Sequence, residues 1–229
     1  MSMPFYVPPE QLMKDRADFA RAGIARGRSV VVVCCASGIA LVAENPSRTL
    51  RKIGEIYDRI AFAAVGKYNE FENLRVAGVR YADLRGYSYD RADVTARGLV
   101  GAYAQTLGGV FTESSKPYEV EIAVAEVGPS VESDRLYRVT YDGSVAEERG
   151  HLVMGGAAEP IAAVMREGWS ADLDLDASLA LAARALRATP TGERSPLPVT
   201  DLEVAFLDRR ARGRTFRRLP EKEVATLLP

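Results

Sequence analysis

Apolar positions along this chain follow two different periods. The runs at 30–35 (VVVVCC), 39–43, 60–65 (IAFAAV) and the middle of 120–127 (VEIAVAEV) are apolar at successive positions. Such runs predict strands buried on both faces. Ala36-Ser37-Gly38 separates the first two and predicts a hairpin. Elsewhere the period is helical. Leu12, Arg16, Phe19 and Gly23 step along residues 10–26, Phe71, Leu74, Gly78 and Tyr81 share one face, and Val100, Tyr103, Leu107 and Phe111 share another. Further strands are expected at 135–140 and 152–154, with the turn signal Asp142-Gly143-Ser144 between them. Helices are expected around 160–167 and 175–187. A polar, proline-bearing connection at 189–198 leads to strands at 202–208 and 214–217, then to a short helix with Pro220 in its first turn.

Runs of strands followed by runs of helices, rather than strict alternation, argue for an α+β fold and against a doubly wound parallel sheet. An antiparallel sheet buried on both faces needs a second sheet on one side and helices on the other. The predicted architecture is therefore a four-layer αββα sandwich of two antiparallel sheets. No internal repeat or low-complexity segment divides the chain, so residues 1–229 read as one domain.

Charged residues make up 27% of the 229 positions, yet they cancel to a formal net charge of -1. That balance argues against nucleic acid or a membrane surface as a partner. No apolar run approaches the roughly 20 residues that span a bilayer. The opening MSMPFYVPPEQ has neither the basic region nor the apolar core of a secretory signal. Cys34 and Cys35 are adjacent and would point to opposite faces of a strand, so they are not expected to pair, and a reducing cytoplasm fits best. The single histidine, His151, has no ligand cluster near it in sequence, and no metal or cofactor is implied. Residues 1–9 hold three prolines and few charges and read as an irregular segment.

Candidate chemistry is sparse. Ser29 heads the wholly apolar strand VVVVCC, a place where a nucleophile could be presented. The two cysteines follow four valines and lack an activating base, so they read as small buried hydrophobes. His151 opens a strand with no evident catalytic partner.

Several blocks, in order and spacing, resemble the α-type subunit of the proteasome core particle, most closely its actinobacterial form. They are DFARAGIARG, ALVAENPSRTLRKIGEIYDRIAFAAVGKYNEFENLR, RGYSYDRADVTARGLVGAYAQTLG, KPYEVE and YDGSVAEE. The resemblance covers nearly the whole chain and implies the same αββα fold, with residues 1–9 as a pore segment, 10–26 as the N-terminal helix and 29–229 as the sandwich.

Catalytic β-type relatives expose an N-terminal threonine whose own amine is the general base. The register of the resemblance puts Ser29 there. Arg28 stands where a propeptide glycine is usual, Asn45 stands in place of the catalytic Asp, and a well-patterned helix precedes Ser29. These departures imply no catalytic residue and a strand-capping Ser29; the alternative is a self-processed hydrolase using Ser29.

The resemblance also implies a homo-heptameric ring on each face of the β-rings, in an α7β7β7α7 barrel. Its partners would be neighbouring α subunits, the β subunit, an AAA-type ATPase binding through its C-terminal tails, and unfolded polypeptide in transit. Met3, Pro4, Phe5, Tyr6 and Pro8 would form the gate over the pore. Lys52, with Gly66, would line the pocket for an ATPase tail and pair with its carboxylate. Lys116-Pro117-Tyr118-Glu119 would form the constriction below the gate, with Glu119 replacing the glycine of archaeal members. Degradation of proteins tagged with a ubiquitin-like protein, Pup, is implied by resemblance alone.

Overall fold

The computed structural model of the protein describes residues 8–228. The gate positions Met3, Pro4, Phe5 and Tyr6 lie outside them; Pro8 lies within. The described residues open on helix α1 (Pro9–Ala25), followed by strands β1 (Val30–Cys35), β2 (Gly38–Glu44), β3 (Ile53–Tyr57) and β4 (Ile60–Gly66). Helices α2 (Tyr68–Ser88) and α3 (Ala96–Glu113) come next, then β5 (Val120–Glu126), β6 (Arg135–Val139), β7 (Val145–Glu148) and β8 (His151–Met154). Helices α4 (Ala158–Gly168) and α5 (Leu175–Ala185) precede a short hairpin, β9 (Ala188–Thr189) with β10 (Gly192–Glu193). Strands β11 (Leu202–Asp208) and β12 (Phe216–Arg218) and helix α6 (Glu221–Leu227) complete the described chain.

Two five-stranded sheets form, in the orders β12-β11-β2-β1-β8 and β3-β4-β5-β6-β7, and every pairing is antiparallel. The first sheet carries α4, α5 and α6 on its outer face, where Val31, Val33, Ala40 and Val42 meet Ile161, Met165, Leu179, Ala182 and Val224. The second carries α2 and α3, where Phe62, Ile122 and Val124 meet Phe71, Leu74, Leu99, Tyr103 and Leu107. Between the sheets lie Val30, Val32, Leu41, Ala61, Ala63, Ala123 and Ala125. The four-layer αββα sandwich expected from the two-faced apolar runs is the fold observed.

Strands apolar on both faces cannot fix their orientation by an apolar/polar alternation. Side-chain size takes over that task. In β4 and β5, Ile60, Phe62, Ile122 and Val124 fill the space beneath the helices, whereas the alternate alanines 61, 63, 123 and 125 face the other sheet. Small residues on the inner face let the sheets approach closely; the large ones fill ridged helix surfaces.

Besides the short β9–β10 hairpin, which falls at the polar connection, two strands, β3 and β7, were not expected from sequence. They are the two edges of the second sheet. Edge strands carry polar side chains on their solvent side, and VAEE, mostly exposed, holds no run of apolar residues for pattern reading to detect. The α1 stripe also needs correction. Leu12 and Phe19 are exposed, and the helix is instead anchored by Ala20 and Ile24. Pro220 precedes α6 as its cap rather than lying within its first turn.

Candidate functional site

One end of the sandwich, where α1 runs into β1, gathers most of the residues singled out from sequence. Ser29 immediately precedes β1 and is buried. Its carbonyl accepts from the Glu44 amide at 3.1 Å, extending the β1–β2 ladder by one rung. While residues 1–28 remain attached its nitrogen is a peptide amide, and Ser29 then has no free amine to act as base. Asn45 is occupied structurally. Its Nδ2 donates to Leu50 O at 2.8 Å and to Glu203 Oε2 at 2.7 Å, and its Oδ1 accepts from the Ser47 amide at 3.1 Å.

Glu203 is a buried carboxylate that organises the entry to β3. It accepts from the amides of Lys52 (2.9 Å) and Ile53 (3.3 Å) and from the guanidinium of Arg218. The Lys52 backbone is thereby fixed, and its side chain crosses to donate from Nζ to the Arg28 carbonyl at 2.6 Å. Burial pushes the Lys52 pKa down to about 8; Glu44 and Glu203 oppose that shift and Arg28 adds to it. Neither carboxylate makes a direct ion pair with Lys52 among the described residues. Glu44 is held instead by Arg28 (2.7 Å) and Arg194 (2.8 Å). Burial alone would raise the Glu44 pKa, but these two guanidinium groups outweigh it and hold the carboxyl below its ordinary range.

Gly66, at the end of β4, lies near Lys52 through the β3–β4 pair, in which Ala64 N donates to Lys52 O at 3.0 Å. It has φ +118, a conformation open to glycine. A Cβ here would fall 1.8 Å from the carbonyl oxygen of Glu119. Gly66 and the 116–119 loop, two separate sites in the sequence reading, are therefore in contact.

That loop is tied down by a second buried carboxylate, Glu70 of α2. Glu70 accepts from Lys116 Nζ at 2.7 Å and from the Glu119 amide at 2.7 Å, while the Glu119 carbonyl accepts from the Lys67 amide at 2.9 Å. The Glu119 side chain pairs with Lys116 at 2.9 Å. Burial would lower the Lys116 pKa, but Glu70 and Glu119 outweigh it and hold it above the ordinary lysine value. Pro117 is buried and Tyr118 packs against the α2–α3 core.

Sequence reading missed Glu44, Glu70 and Glu203. Each is buried at or near the end of its element, held by partners distant in sequence, and no local pattern marks it. His151 opens β8, its Nδ1 buried without a partner and its pKa lowered by burial and by Arg166. Burial likewise raises the Cys34 thiol pKa, against reactivity. Among the described residues no group of three or more His, Cys, Asp or Glu is arranged to hold a metal, and no helix is long and apolar enough to cross a membrane.

An αββα sandwich whose nucleophile position is an internal, structurally occupied serine defines a non-catalytic member of the fold used by N-terminal nucleophile hydrolases. The Proteasome subunit family profile matches residues 24–204. The chain is 65% identical to the proteasome subunit alpha of Kineococcus radiotolerans, over 100% of this chain and 98% of that protein. It is 61% identical to that of an Arthrobacter species (100% and 98% covered) and 60% identical to that of Thermobifida fusca (100% and 91%). The chain belongs to the proteasome subunit family, as a non-catalytic α-type subunit of that threonine protease complex.

Proposed function

We propose that the chain, one domain over residues 1–229, forms the heptameric outer rings of an α7β7β7α7 proteasome in the cytoplasm. In this reading the α-ring admits unfolded polypeptide to the catalytic β-rings and receives an AAA-type ATPase, serving degradation of Pup-tagged proteins. Residues 1–9, with Met3, Pro4, Phe5, Tyr6 and Pro8, form the gate. Lys52 and Gly66 receive the ATPase tail, and the 116–119 loop narrows the passage below.

The observation that carries the reading is the state of Lys52. Its ammonium is partly buried, its pKa is pushed to about 8, and its direct partner is the neutral Arg28 carbonyl. A desolvated ammonium with spare donors is stabilised by an incoming carboxylate through a charge-assisted hydrogen bond. A peptide C-terminus is such a group.

The test uses the assembled particle of this chain with its β subunit. Lys52→Ala should lower ATPase-stimulated protein degradation while rings still assemble, and removal of residues 2–9 should raise hydrolysis of a short peptide. Undiminished stimulation in the first variant would refute the tail pocket. Unchanged peptide turnover in the second would refute the gate.

A further inference from the structure

Helix α1 is fastened to the rest of the chain along a stripe separate from its apolar anchors. Arg16 Nη2 donates to the carbonyls of Ser114 and Val110. Phe19 lies beside the Lys116 ammonium, 5.4 Å from Nζ to the ring centroid. Gly23 abuts the Glu119 side chain so closely that a Cβ would fall 2.2 Å from Oε2. Arg26 Nη2 lies 4.0 Å from the same oxygen.

Residues 16, 19, 23 and 26 advance by three or four and so share one helix face. Their partners advance in the same direction, from 114 through 116 to 119. Ten helical residues rise about 15 Å, while residues 114–116 bend and 117–119 run on without regular structure to β5. The contacts from Arg16 to Ser114, from Phe19 to Lys116 and from Gly23 and Arg26 to Glu119 are spread along that rise, so the 114–119 segment follows α1 for almost three turns.

We infer that Glu119 is a positioning residue that clamps α1 to the 114–119 segment, so that the two move as one lever. A displacement at the Pro8 end of α1 then shifts the segment, and a displacement of the segment shifts α1. Coupling of this kind is reciprocal. The consequence for polypeptide entry rests on the gate and constriction assigned above, whereas the mechanical link does not.

Glu119 is placed for this task by both its backbone and its side chain. Its amide and carbonyl are bound to Glu70 and Lys67, so the main chain stays on the sandwich. Its side chain, 13% exposed, is the part that reaches α1 at Gly23 and Arg26. Removing the carboxylate leaves Lys116 paired with Glu70. The segment stays docked, but it releases the helix.

Amide hydrogen exchange of the assembled particle, read by mass spectrometry, tests this link. Glu119→Gln should speed exchange in residues 10–26 about two- to fivefold, the loss expected when a 4.0 Å ion pair with a largely exposed arginine goes. Gly23→Ala approaches from the other side. It forces the Glu119 side chain aside and should speed exchange at residues 116–119. At residues 116–119, Glu119→Gly combined with Gly23→Ala should match Glu119→Gly alone, because the collision partner is gone, whatever the alanine adds to the helix itself. Exchange that changes only on the mutated side, or effects that add in the double variant, would overturn the lever. A gate that fails its own deletion test leaves these exchange results to be judged separately.

Discussion

Asn45 Nδ2 donates to Glu203 Oε2 at 2.7 Å, at the base of the turn that leads into β3. The contact needs a donor at position 45. A carboxylate there would face the Glu203 carboxylate across the same gap and would leave Leu50 O without its partner. Asn45→Asp should therefore destabilise the fold by about 2–4 kcal/mol at neutral pH. Repulsion raises the folded-state pKa of the introduced carboxyl above its unfolded value. The deficit is then present at neutral pH and shrinks as pH falls through that raised pKa toward the ordinary carboxylate range. Urea titrations at pH 7 and pH 5 check this. A stability gap that is equal at both pH values would contradict the repulsion.

Ser29 supplies a second, simpler expectation. Its amine is bound up in the Arg28–Ser29 peptide, and its carbonyl belongs to the β1–β2 ladder. Ser29→Ala should leave peptidase activity of the assembled particle unchanged and shift stability by less than about 1 kcal/mol. Intact-mass measurement should find residues 1–28 still joined to the purified chain. Recovery of a product beginning at Ser29 would restore the hydrolase reading.

Gly66 is held in a backbone conformation that side chains rarely adopt, with the Glu119 oxygen where a Cβ would stand. Gly66→Ala must either move that carbonyl, breaking its bond to the Lys67 amide, or unwind the end of β4. Strain and the lost hydrogen bond together suggest a cost of about 3 kcal/mol. Thermal denaturation of the variant should show a Tm lower by several degrees. An unshifted Tm would mean the turn can relax without loss.

Much of this architecture was legible in the sequence because the central strands advertise themselves. VVVVCC and IAFAAV are apolar at every position, and only a strand between two layers requires that. The edge strands β3 and β7 do not share the requirement and were invisible to it. Sequence placed Leu12, Arg16, Phe19 and Gly23 on one face of α1, but pattern alone could not say what that face meets. Its partners, Ser114, Lys116 and Glu119, lie about a hundred residues away. Similarly, Lys52 was found through a sequence block, whereas the carboxylates that fix its surroundings, Glu44 and Glu203, were concealed within strands. Long-range hydrogen bonding selects such residues, and no local period records it.

Lys52 gives the prediction with the clearest sign. Burial lowers its pKa to about 8, against 10.5 for an unperturbed lysine. In the free protein the ammonium is thus mostly present at pH 7 and mostly lost at pH 9. A peptide ending in a free carboxylate should bind the assembled particle at pH 7 and weaken as pH rises above 8. The midpoint in the complex should lie higher than in the free protein, because the bound carboxylate favours the charged lysine. Fluorescence anisotropy with a labelled synthetic peptide measures this, and the same peptide with an amidated C-terminus should bind weakly and without that pH dependence. Lys52→Met should cost roughly 10–100-fold in affinity at pH 7, the worth of one charge-assisted hydrogen bond. It should also abolish the fall between pH 7 and 9. Binding that weakens over this range just as strongly in Lys52→Met would place the titrating group elsewhere.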